Sequence, residues 1–106
     1  MALGGDCALM ARRLVERRLI DIGDRLKRLR HELAVANEQL LHFADEADNA
    51  RLRALVSETP VSDREFRDAE RHAELMRRSR DEMLAEIATL EKNQDELLDQ
   101  LSSGTG

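Results

Sequence analysis

Ala, Glu, Lys, Leu and Arg fill 59 of the 106 positions, the make-up of long helices and coiled coils. Leu, Ile, Val and Phe supply 26 residues, more apolar material than a disordered polar segment carries, while two Phe and no Tyr or Trp leave no aromatic core for an ordinary α/β enzyme. The formal charge of −5 argues against generic binding to a phosphate backbone, which needs a surplus of Lys and Arg.

Cys7 is the single cysteine and suits a reducing compartment. No apolar run approaches the roughly 20 residues that span a bilayer. Met1 to Asp6 lacks the basic and apolar regions of a secretory leader. A soluble cytoplasmic protein without a transmembrane segment is expected, and 15 Arg against 2 Lys suit a GC-rich, bacterial coding genome.

In chain order, Asp6 after Gly4-Gly5 is a candidate N-cap for a first helix over about 7–56. Within it the apolar residues step by four and three. Positions a fall at Leu19, Leu26, Leu33, Leu40 and Ala47, and positions d at Ile22, Leu29, Ala36, Phe43 and Ala50, the 3.5-residue period of a coiled-coil seam. Residues 57–62 read as a loop around Pro60, the one proline, which cannot sit in a helix interior. Ser62 with Glu65 has capping-box spacing, and Val61 with Phe66 has that of a hydrophobic staple. A second helix is predicted over about 63–101, its seam running from Phe66 through Ala69, Ala73, Met76, Arg80, Met83, Ile87, Leu90, Gln94 and Leu97 to Leu101. Residues 102–106 read as a flexible tail.

The expected fold is therefore all-α: one domain over 1–106, an antiparallel two-helix coiled-coil hairpin, with dimerisation into a four-helix bundle. Charge supports folding back at the loop. Arg12 to Arg30 holds eight basic and three acidic residues, whereas Asp81 to Gly106 holds seven acidic and one basic. Across the seam the expected partners are Arg30 with Glu91, Arg51 with Glu70, Arg53 with Glu65 and Glu46 with His72. Glu32 would oppose Glu86, relieved by Arg28.

Several residues fall outside this scheme. Leu41, Leu52, Leu55, Leu75, Leu84 and Leu98 lie off the seam. Helix 1 also overshoots helix 2, which strands Leu9, Met10, Leu14 and Val15 without a partner. Exposed apolar stretches of this kind mark association sites, so these ten residues are the candidate partner-binding set. The simplest partner is a second copy in a two-fold dimer. Arg80 and Gln94 occupy seam positions, where a polar side chain sets register. Arg80 is expected to snorkel towards Glu38 or Glu74. Gly23, costly inside a helix, is expected to admit Leu98 or to mark a bend.

Chemistry-bearing patterns are sparse. His31, His42 and His72 fall on different faces. Glu38 and His42 are helical neighbours, but no Glu-x-x-His occurs. There is no phosphate loop, Cys-x-x-Cys or nucleophile elbow. No enzyme, metal or cofactor is expected. The basic residues Arg12, Arg13, Arg17, Arg18 and Arg25 are read as balancing helix 2, with nucleic acid possible but not favoured. Glu58, Asp63 and Glu65 at the hairpin tip give a coiled coil that is similar in outline to the secondary-channel factors of bacterial RNA polymerase, which would imply tip carboxylates reaching a catalytic magnesium. The zinc-binding cysteines and the globular docking domain of those factors have no counterpart in these residues, so no family is assigned.

The expected function is a non-catalytic interaction module: an adaptor, scaffold or regulatory subunit of a cytoplasmic assembly, with a further protein partner. The alternatives are a regulator of a nucleic-acid machine such as RNA polymerase, acting through the acidic tip or the basic segment, and a peripheral membrane-associated scaffold.

Overall fold

In a computed structural model the backbone is described for residues 2–105 and side chains for residues 7–103. Two helices account for nearly all of it: α1, Ala2–Ser57, and α2, Pro60–Thr105. The fold is all-α, a helical hairpin. Its contacts group into two units, a loop unit of residues 31–84 and a terminal unit of residues 1–30 with 85–106.

The loop unit owes its reversal to two residues. The Glu58 amide donates to the Ala54 carbonyl at 3.0 Å and Glu58 has φ 49°, the left-handed ending that closes a helix by one backbone bond. Thr59 then caps α2. Its Oγ1 accepts from the Ser62 amide at 3.1 Å, and Ser62 Oγ accepts from the Thr59 amide at 3.2 Å, so each side chain satisfies the other's backbone donor. Pro60 follows at the first helical position, where its missing N–H costs nothing and its fixed φ already suits a helix.

This corrects three expectations. The loop is Glu58-Thr59 and not residues 57–62, because Thr59 takes the cap one turn before Ser62 could. The Ser62–Glu65 box is absent, since the Ser62 hydroxyl is already bonded to Thr59. The Val61–Phe66 staple is absent too, as the earlier cap places Val61 inside the first turn, where it is exposed. At the far ends, the helical backbone already includes Asp6, so α1 does not start after it as expected, and α2 continues through Ser102 to Thr105 where a flexible tail was expected. Ser and Thr are only mildly unfavourable in helices, and no second proline stops the ladder.

In the loop unit the buried apolar residues are Ala36, Leu40, Ala47, Ala50 and Ala54 of α1 and Ala73 of α2, flanked by half-buried Phe43, Phe66, Met76 and Met83. Alanine at so many seam positions lets the backbones approach closely. Phe43 meets His72 of α2 edge-on, with ring centroids 6.1 Å apart.

The terminal unit is greasier. Leu26 and Leu29 are the most deeply buried large side chains, packed in a core that includes Ile87 and Leu97. Val15, Leu19, Ile22, Leu90 and Leu101 are half-buried around it. Among the described residues, every buried apolar side chain belongs to the 3.5-residue pattern. Gly23, in contrast, has nothing within 4 Å of where a Cβ would stand, and α1 runs through it without interruption. Leu98 therefore does not occupy the space beside it.

Two stability changes follow. Glu58→Gly should raise the unfolding free energy by about 1 kcal/mol, because relief of left-handed strain exceeds the added freedom of the unfolded chain. Gly23→Ala should also stabilise by about 1 kcal/mol, the helix-propensity difference. Urea unfolding followed by circular dichroism measures both.

Candidate interaction surface

Nine of the ten residues expected to bind a partner are exposed: Leu9, Met10, Leu14 and Leu98 in the terminal unit, and Leu41, Leu52, Leu55, Leu75 and Leu84 in the loop unit. The exception is Val15. Because α2 continues past Leu101, Val15 is half-buried in a groove that it lines with Ala8, Leu9, Gln100 and Leu101. The overhang of α1 is correspondingly shorter than the sequence suggested.

Four exposed residues escaped the sequence reading: Ile20, Val35, Val56 and Val61. Their signal was present, since each lies off the seam. Val56 coincides with the expected end of the first helix and Val61 with the expected staple.

In the loop unit the exposed aliphatic residues gather towards the reversal. Leu52, Leu55 and Val56 occupy the last turns of α1 at the i, i+3, i+4 spacing of one helix face, with exposures of 62%, 65% and 84%. Val61 stands on the first turn of α2, 67% exposed. Leu41 is 74% exposed further back along α1. Isolated surface leucines are ordinary, but a row of them on one element is not.

The electrostatics differ between the units. In the terminal unit two ion pairs cross between the helices: Arg25 Nη2 to Glu86 Oε1 at 2.8 Å and Arg30 Nη2 to Glu91 Oε2 at 3.8 Å. The second is an expected partnership. The first corrects another, because Glu86 is held by Arg25, which neutralises the carboxylate expected to clash with Glu32. Both pairs are half-exposed, so each contributes about 0.2–1 kcal/mol and mainly specifies register. Arg12 pairs with Glu16 along its own helix at 3.1 Å. Arg13, Arg17 and Arg18 are exposed and, among the described residues, make no ion pair.

In the loop unit the expected pairs do not close. Arg51 and Glu70 line one flank, and Glu46, Arg53, Glu65 and His72 line the other, but no bridge of 4.0 Å or less joins them; solvated side chains gain too little to be held together. Arg80 at its seam position turns to the adjacent Asp81, at 3.0 Å from Nη2, and not to Glu38 or Glu74. Glu74 is taken by Arg77 and Arg78. Gln94 is half-buried on its seam.

At the tip, Glu58 is the left-handed link, Asp63 sits in the first turn of α2 where a negative charge complements the helix dipole, and Glu65 faces the flank shared with Arg53. Among the described residues no three His, Cys, Asp or Glu side chains gather as metal ligands would, and no helix is long and apolar enough to cross a membrane. Cys7 is exposed. Compared with protein-family models, with curated proteins and with solved structures, the chain finds no match.

Proposed function

We propose that this chain is a non-catalytic coiled-coil interaction module, an adaptor, scaffold or regulatory subunit of a cytoplasmic assembly, and that it self-associates, with a homodimer of four helices as the smallest form. The observation that supports the reading is the solvent-facing aliphatic row on α1 of the loop unit, Leu41, Leu52, Leu55 and Val56, each more than 60% exposed. The helical seam is already satisfied by Ala36, Leu40, Ala47, Ala50 and Ala54 on the same helix, so this row adds nothing to the hairpin's own core. Its burial against another helix would remove apolar surface from water at about 25 cal/mol per Å². A second copy of the same chain is the commonest molecule to cover such a surface. A further protein partner would use the aliphatic residues of the terminal unit, Leu9, Met10 and Leu14.

Light scattering on the wild-type chain from micromolar to millimolar concentration should give masses above that of one copy. Leu41→Glu with Leu55→Glu should return it to a single copy with its helicity intact, whereas reversing Glu58, Asp63 and Glu65 should leave association unchanged. A wild-type chain that stays single across the range contradicts the self-association.

A further inference from the structure

The loop unit leaves most of its charge without an internal partner. Each of its ion pairs joins near neighbours on α2: Arg71 with Asp68, Arg77 and Arg78 with Glu74, and Arg80 with Asp81. On α1, five carboxylates and no Lys or Arg lie between His31 and Ala50, and none of the five makes an ion pair within the described residues. Three of them, Glu38, Asp45 and Asp48, share the solvent face of α1 with exposed Leu41 and Leu55.

The solvent face of α2 in the same unit has the opposite character. Arg64, Arg67, Arg71 and Arg78 are spaced for one helix face, all are exposed, and Val61 and Leu75 lie beside them, also exposed. Laid antiparallel, the two faces are complementary at five rungs, while Glu74, on the same face and bonded to Arg77 and Arg78, falls opposite His42, and Arg64 falls opposite Leu52. Glu38 meets Arg78, Leu41 meets Leu75, Asp45 meets Arg71, Asp48 meets Arg67 and Leu55 meets Val61. The match cannot be made inside one chain, because each face lies on the side of its helix away from the seam that joins α1 to α2.

We propose that a second copy of the chain docks along this contact, the acidic aliphatic face of α1 against the arginine face of the neighbour's α2. The inference rests on the self-association proposed above and says which faces meet. Complementary charge sets register and orientation, and the aliphatic rungs supply the burial. The contact joins unlike faces, so a docked pair keeps one face of each kind free and assembly continues past two copies.

The test is a charge exchange read by light scattering in low and high salt. One variant carries Glu38→Arg, Asp45→Arg and Asp48→Arg, and the other carries Arg78→Glu, Arg71→Glu and Arg67→Glu. All six positions are exposed, and circular dichroism checks that both variants keep the wild-type helicity. Each alone should associate more weakly by about tenfold or more, as like charges now face one another. An equimolar mixture should recover association, and high salt should weaken both the wild type and the mixture. Should a triple variant lose helicity, the single changes Asp45→Arg and Arg71→Glu, separately and mixed, give the same comparison. Variants that associate like the wild type, or a mixture that does not recover, overturn the assignment of faces while leaving self-association standing. A wild-type chain that remains one copy at every concentration overturns both.

Discussion

The arrangement of the chain depends on one local event, the reversal of direction across Glu58 and Thr59. A helix as long as α1 has no internal reason to stop at Ser57. The stop comes from Glu58 entering the left-handed region and from Pro60, whose ring bars continuation of the preceding helix. The restart is equally local, because Thr59 and Ser62 bond reciprocally and α2 begins with its first donors satisfied. With the direction reversed, the seam positions of α2 return alongside those of α1, and the leucine and alanine rows are buried.

Two kinds of packing follow from that seam. Around the reversal it is lined mostly by alanine, so the helices gain little area per residue, with Phe43 meeting His72 edge-on. In the terminal unit Leu26, Leu29, Ile87 and Leu97 give each layer more apolar area, and the two cross-helix ion pairs, Arg25 with Glu86 and Arg30 with Glu91, lie here. Internal stabilisation is thus concentrated in the terminal unit, while the loop unit carries the more exposed aliphatic surface and the unpaired carboxylates of α1. Lean internal packing next to unused surface suits a region that meets another molecule.

Much of this was legible in the residue order. Among the described residues the 3.5-residue pattern located every buried apolar position, because two packed helices bury side chains along the seam they share. Pro60 marked the break for a reason that holds in any context. Cap position was harder to read, since Thr59 and Ser62 are equally good capping residues and the choice rests on whether Pro60 lies before the helix or in its first turn. Ion pairs were partly legible: Arg30 with Glu91 formed, whereas Arg51, Arg53 and Arg80 did not take their expected partners, because an exposed guanidinium has several nearly equivalent carboxylates within reach. Arg80 settled on Asp81, its immediate neighbour, which no reading of helix faces would select. As for the candidate surface, off-seam leucines announced it, and Val56 and Val61 were missed only because each had been given a local role at a helix end.

The pairing of α1 with α2 inside the terminal unit can be measured directly by pulsed electron-spin distances between labels at Arg18→Cys and Gln100→Cys in a Cys7→Ser background, diluted with unlabelled chain. Antiparallel neighbours place their axes about 8–10 Å apart, so the distance should fall below about 2 nm once the label arms are included. A distance near 12 nm, about what one unbroken helical rod would give at 1.5 Å per residue, would contradict the hairpin and everything built on it.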